Sequence, residues 1–198
     1  SGTGEWTLVT DVSSLSAGAQ LLIASTKGFV AGDISNSVMG SVDATFSADK
    51  TTVTKPNDAV VLTLGGSSGA WTLANADGSL LGATAVKKLA WGSGTTTWSI
   101  SISGSDATIQ NTTSSRGRFL YNVGNPRFTT YTSTAGSTML LPQLYMLDGS
   151  AGTTYYGTNA VTCAHSNTTN VAAVAATCGA SGYTAGVYCN DCKQYISG

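Results

Sequence analysis

Between Trp6 and Leu147 short apolar or alternating runs recur, each closed by a cluster of Gly, Ser, Asn or Asp. That cadence encodes short strands joined by tight turns. The clearest runs cover residues 6–12, 20–24, 59–64, 71–74, 98–102, 107–109, 119–123, 128–131 and 143–147. In Trp98-Ser99-Ile100-Ser101-Ile102 the apolar side chains fall on every second residue, so one face packs and the other is wet. A helix would scatter them. Turn signals such as Asn75-Ala76-Asp77-Gly78 and Ser103-Gly104 separate the runs, and Pro56, Pro126 and Pro142 sit where a strand can begin or end.

Composition agrees with an all-β chain. Ser and Thr exceed a quarter of the 198 residues, glycine numbers 24, and Glu5 is the only glutamate. β-branched side chains suit a pleated surface and glycine supplies turns, whereas strong helix formers are scarce. Within the runs there is a faint echo: Trp71 leads to Asn75 and Gly78-Ser79-Leu80-Leu81, and Trp98 leads to Asn111, Gly117 and Phe119-Leu120. Such repetition favours a closed β-barrel, trefoil-like in one form, over an open sheet, with a sandwich as the alternative.

Charged residues make up only 10% of the chain and the net charge is −1. No broad basic field can form, so nucleic acid is not an expected partner. No apolar run approaches the roughly 20 residues that span a bilayer as a helix. The opening Ser1-Gly2-Thr3-Gly4 reads as a processed or cloned terminus and carries no signal peptide, so export is inferred from other features.

After Leu147 the texture changes to the flexible stretch Asp148-Gly149-Ser150-Ala151-Gly152-Thr153-Thr154. The expected organisation is therefore a barrel domain at 5–147, a linker at 148–160 and a small module at 161–198. That module holds all the cysteines and the sole histidine: Cys163, His165, Cys178, Cys189 and Cys192. The C-x-x-C turn lets two sulfurs converge on one centre, and an earlier pair can complete a tetrahedron, for which zinc is the natural occupant. So short a segment, poor in bulky apolar side chains, needs a staple of some kind. Two disulfides are the competing chemistry, and four cysteines allow three pairings. A thioredoxin-like role for Cys189 and Cys192 lacks its βαβ setting.

The run Ala175-Ala176-Thr177-Cys178, then Gly182-Tyr183-Thr184, then Tyr188-Cys189-Asn190-Asp191-Cys192 resembles a short zinc-ribbon-like repeat of large surface proteins from gut Firmicutes. The resemblance covers nearly all of 161–198. It implies His165, Cys178, Cys189 and Cys192 as the core ligand set of a structural zinc, with Cys163 as a spare or substitute. Relatives carry Thr-Glu after the middle cysteine where this chain has Gly179-Ala180, which bears on Cys178. More loosely, Trp6-Thr7-Leu8-Val9, Gly18 through Ile23, Phe119-Leu120-Tyr121-Asn122, Arg127-Phe128 and Gln143 through Leu147 are similar to uncharacterised accessory β domains of secreted Firmicutes and Bacteroidetes proteins. This second resemblance implies export or display at a bacterial cell surface and names no ligand.

Catalytic constellations are not legible. A hydroxyl nucleophile needs a base, and the only imidazole, His165, is committed to the proposed metal. Asp33, Asp43, Asp49, Asp58, Asp77 and Asp106 lie in loop-like stretches, where aspartate usually forms turns. Lys87 and Lys88, adjacent on a strand, would point to opposite faces. Four or five protein candidates argue for a closed zinc site rather than a catalytic one.

For binding, three of the nine basic residues sit near aromatics in Arg116-Gly117-Arg118, Tyr121, Asn122, Arg127, Phe128 and Tyr131. Guanidinium planes beside rings can hold a sugar, a carboxylate or a nucleobase, and a nucleic-acid ligand would show a steep salt dependence of affinity. The same rings also fit strand interiors, with arginine stems covering a barrel end. Trp91, flanked by Gly92-Ser93-Gly94, is the tryptophan expected to be exposed, as a carbohydrate stacker. The expectation is a monomeric, non-catalytic, secreted or cell-surface accessory module that binds carbohydrate or protein. A secreted hydrolase with a cleft invisible in the sequence is the alternative.

Overall fold

The computed structural model describes residues 5–150, 168–171, 186–189 and 194–197. Among them there is no α-helix, only two short 3-10 turns, Val12–Ser14 and Ser114–Arg116. The protein is all-β, and every strand pairing among the described residues is antiparallel. Contacts divide the chain into two compact units, 1–152 and 153–198.

The first unit runs β1 (Trp6–Leu8), β2 (Gln20–Ser25), β3 (Phe29–Ser35), β4 (Val38–Asp43), β5 (Thr45–Phe46), β6 (Thr52–Thr54), β7 (Leu62–Ser67) and β8 (Ala70–Ala74). It continues with β9 (Leu81–Ala85), β10 (Lys88–Trp91), β11 (Thr97–Ser103), β12 (Asp106–Asn111), β13 (Arg118–Asn122), β14 (Arg127–Tyr131), β15 (Met139–Leu140) and β16 (Gln143–Leu147). One large sheet orders these as β3-β4-β14-β13-β12-β11-β8-β7-β2-β16-β1-β6-β5, while β9 and β10 pair separately as a hairpin.

A further pairing joins β2 to β3, so the hydrogen-bonded path returns to β2. The register explains how one strand serves three neighbours. Leu21 faces Leu62 of β7 on one edge and Met146 of β16 on the other; Ala24 faces Val30 of β3 and Gln143 of β16. Thus β7 and β3 share one edge of β2, end to end, and β16 takes the whole opposite edge. The gap between β7 and β3 is closed by the chain leading into β7. There Ala59 bridges Gly32, and the Val60 amide donates to the Ala31 carbonyl.

Both faces of β2 are therefore buried, and its side chains alternate between two cores. Leu21 and Ile23 enter a large cluster with Trp71, Trp98, Phe119, Tyr121 and Phe128. Leu22 and Ala24 enter a smaller one with Trp6, Val53 and Tyr145. Rings organise the larger core: Trp98 lies 5.1 Å from Phe119, and Tyr121 lies 4.9 Å from Phe128 and 5.9 Å from Phe29. The paired tryptophans of the sequence echo are direct neighbours, Trp98 opposite Trp71 across β11 and β8.

The loop between β5 and β6 locks the smaller core. Asp49 Oδ1 accepts hydrogen bonds from Ser47 Oγ at 2.7 Å, Thr51 Oγ1 at 2.8 Å and the Thr51 amide at 3.1 Å. These bonds, that from Ser47 foremost, hold the carboxyl at about 2 against an ordinary 3.8. The loop in turn presents the Lys50 carbonyl to the Tyr145 hydroxyl at 2.7 Å. Because the folded carboxyl titrates below the unfolded one, its contribution is complete above 3.8 and is lost as pH falls toward about 2. A melting temperature that declines over that interval, with the decline flattened in Asp49→Asn, is the expected result of a pH series.

The second unit contains β17 (Thr168–Val171), β18 (Gly186–Cys189) and β19 (Gln194–Ser197), paired in that order. Thr168 faces Cys189, and Cys189 faces Gln194. Cys163, His165, Cys178 and Cys192 lie outside the described residues, and Cys189 is described by its strand position alone.

Candidate functional site

The β13–β14 ladder places the basic and aromatic residues by simple alternation. Phe119 and Tyr121 point into the larger core, so Arg118, Leu120 and Asn122 occupy the other face of β13. On β14, Phe128 is in the same core, so Arg127, Thr129 and Tyr131 share the other face. The register then sets Arg118 opposite Tyr131, Leu120 opposite Thr129, and Asn122 opposite Arg127.

Tyr131 is the organising group. Its hydroxyl oxygen accepts from Arg127 Nε at 3.1 Å and from Asn122 Nδ2 at 3.2 Å. Those donors belong to a cross-strand pair four residues away, about 13 Å along a strand. The ring must therefore lie along the sheet over the Leu120–Thr129 pair between them, which accounts for the full burial of both. Lys87, exposed in the turn between β9 and β10, brings its ammonium 5.5 Å from the Tyr131 ring centroid, and its amide donates to the Thr130 carbonyl at 3.0 Å.

Donors outnumber acceptors on this face. Arg118 Nη2 reaches the Ser133 carbonyl at 3.2 Å, but its Nε is buried without a partner. Thr129 Oγ1 is likewise buried and unpaired. Among the described residues Arg118 and Arg127 make no hydrogen bond to a carboxylate.

The other residues singled out in the sequence go elsewhere. Arg116 ends a 3-10 turn and donates from Nη1 to the Ala83 carbonyl, tying that turn to β9. Tyr121 is 1% exposed within the larger core, on the opposite face of β13 from Arg118. Trp91 is half-buried against the same core, and its indole nitrogen donates to Asp33 Oδ1 at 2.8 Å. Asp33 and Thr129 were not legible as site residues, because Thr129 acquires its neighbours through the β13–β14 pairing and Asp33 meets Trp91 through packing of β10 near β3. Asp11 and Asp77 hold local turns through bonds from Ser13 and Ser79, which keep both carboxyls below their ordinary value.

No family model, curated protein or solved structure matches this chain. What β13 and β14 present is a cation-rich surface on which half-buried Arg118, Asn122 and Arg127 surround a phenol that is itself only 5% exposed. Neither strand offers a free edge there: β13 lies between β14 and the pair β12 and β15, and β14 lies between β13 and β4. The surface can be approached only from above the sheet.

Proposed function

We propose that this chain is a non-catalytic accessory module of a secreted or cell-surface bacterial protein, and that it meets its ligand, a carbohydrate or a protein, on the Arg118/Arg127/Tyr131 face. The observation that carries this reading is the set of unfilled donors there. The terminal nitrogens of Arg127 have no acceptor among the described residues, so a ligand oxygen can take hydrogen bonds there that the fold leaves unmade. The circuit β2-β3-β4-β14-β13-β12-β11-β8-β7 and back to β2 is read as a closed barrel, whose wall holds the two arginines in fixed register. A screen of the immobilised protein against cell-surface glycans and proteins tests this reading. Binding that disappears in an Arg118→Ala/Arg127→Ala double variant supports it, whereas binding that survives the double variant contradicts it.

The same proposal gives the second unit a structural zinc. Support comes from the register of β17, β18 and β19. Cys189 ends β18 beside Thr168, the start of β17, and beside Gln194, the start of β19. His165 precedes Thr168 by three residues, so covalent length keeps it within about 11 Å of that end. Cys192 stands three residues after Cys189 and two before Gln194 in the sequence. Cys189, Cys192 and His165, with Cys178 or Cys163 as the fourth, are the thiolate and imidazole donors that a tetrahedral zinc takes. Protein purified without chelator is expected to carry one zinc per chain and unoxidised thiols. Two disulfides and no metal would reject the assignment.

A further inference from the structure

We infer that the Tyr131 face is a carboxylate site, and that the ligand it takes is an acidic saccharide bearing a uronic-acid group. This rests on the binding role proposed above for the same face and gives that role a chemistry.

The first step is proton counting. A phenol oxygen has two lone pairs and one hydrogen. In Tyr131 both lone pairs are engaged, by Arg127 Nε and Asn122 Nδ2, so the hydroxyl hydrogen is left to donate. Arg127 keeps its two terminal nitrogens without an acceptor among the described residues, whereas Arg118, opposite the Tyr131 backbone and turned to the Ser133 carbonyl, lies away from the hydroxyl. Lys87 adds a second cation at the ring. Every unspent group at this spot, the Thr129 hydroxyl aside, can only give hydrogen bonds. A neutral sugar hydroxyl, which gives as much as it accepts, satisfies such a site poorly; an anionic oxygen pair satisfies it well.

The choice among anions follows from the backbone. Phosphate sites typically draw on free backbone amides, at a helix start or a turn nest. Here β13 and β14 are interior strands joined along a shared ladder, with no turn nest or helix start at the Tyr131 hydroxyl, so side chains are the donors, the guanidinium of Arg127 being planar. A planar guanidinium fork takes carboxylate and phosphate alike, so it is the lack of an amide nest or helix start at this spot that favours the carboxylate. The same interior placement argues against an acidic peptide, whose extended backbone commonly docks by adding a strand to a sheet edge. A saccharide needs no such edge. It can lie on the face of the sheet with its carboxylate toward Tyr131 and its hydroxyls toward solvent.

The test is calorimetric titration of the whole chain with uronic-acid oligosaccharides, with the same oligosaccharides after reduction of their carboxyls, with a glutamate-rich peptide and with inorganic phosphate. Tyr131→Phe keeps the ring and removes its hydroxyl; Arg127→Gln removes the fork; Lys87→Gln changes an exposed side chain and guards against misfolding of the other two. The expected result is saturable binding of the acidic oligosaccharide that falls at least tenfold on carboxyl reduction and in Tyr131→Phe and Arg127→Gln, and severalfold in Lys87→Gln. If the reduced oligosaccharide binds as well as the acidic one and the variants weaken both, the face is a binding site but the carboxylate assignment is overturned. If the peptide or phosphate binds in a variant-dependent way and the oligosaccharide does not, the saccharide is overturned. If no probe binds, or binding ignores all three variants while their melting temperatures match the parent, both the inference and the binding role of this face fail.

Discussion

Replacing Trp98 with alanine is expected to cost about 3–5 kcal/mol, the range for deleting a fully buried tryptophan. Trp98 is 0% exposed, its ring packs 5.1 Å from Phe119, and its Nε1 donates to the Leu81 carbonyl at 2.9 Å. The substitution therefore opens a cavity and strips a partner from β9 at one stroke. Because β9 carries the hairpin that presents Lys87, loss of this anchor also loosens the cation on Tyr131. Trp98→Phe separates the two effects: it retains most of the packing and loses the indole bond, for a cost of about 1–3 kcal/mol. Denaturant titration checks both. An alanine variant within about 1 kcal/mol of the parent, below the usual cost of such a deletion, would mean the larger core does not depend on this ring.

Gly117→Ala is the second large effect, on the order of 2–5 kcal/mol from overpacking together with left-handed backbone. Gly117 has φ +82°, and a methyl group there would sit 2.4 Å from the Tyr131 carbonyl oxygen and 2.6 Å from its carbon. The obstructing atoms are backbone, so no rotamer change relieves them. Either Gly117 or β14 must move, and both movements disturb the register that sets Arg118 opposite Tyr131. Gly78→Ala is the control. Its φ is +88° but nothing lies within 4 Å of the added methyl, so it should lose only about 1–2 kcal/mol of conformational strain. Thermal melts of the two variants should differ clearly. Binding by folded Gly117→Ala should fall with the register even where the protein survives.

The all-β class was legible because most strands bury one face only. β11 alternates Trp98, Ile100 and Ile102 with serines, and the structure finds it as Thr97–Ser103. The β3–β4 hairpin gave no such signal. Val30 belongs to the smaller core and its neighbour Ala31 to the larger, and burial on both faces erases the period of two. Its turn, Asn36-Ser37, takes positive φ at both residues, a conformation that a glycine would have announced. The β9–β10 hairpin was legible only in part: Lys87 and Lys88 are expected side by side on a strand, whereas Lys87 sits in the turn at φ +60° and Lys88 opens β10, with Leu81, Ala83 and Leu89 in the core.

The candidate site was half legible. Arg118 and Asn122, like Arg127 and Tyr131, are spaced by four, so each pair shares a face of any strand that holds it. By the same parity Tyr121 follows Phe119, and Phe119 is core. What no spacing reveals is register. That Tyr131 reaches Asn122 and Arg127, rather than solvent, depends on how β13 is set against β14. Likewise the bond from Trp91 to Asp33 joins residues 58 apart in sequence.

Contact between the ligand and the Tyr131 face is the central expectation for this protein. Arginine Nε–H resonances report on it directly, since Arg127 Nε is bonded to Tyr131, Arg118 Nε is unpartnered, and Arg116, tied to the Ala83 carbonyl, serves as the internal reference. During titration with an acidic oligosaccharide, the Arg118 and Arg127 signals should move together and saturate while that of Arg116 stays fixed. Saturable binding that leaves Arg118 and Arg127 unmoved would contradict it.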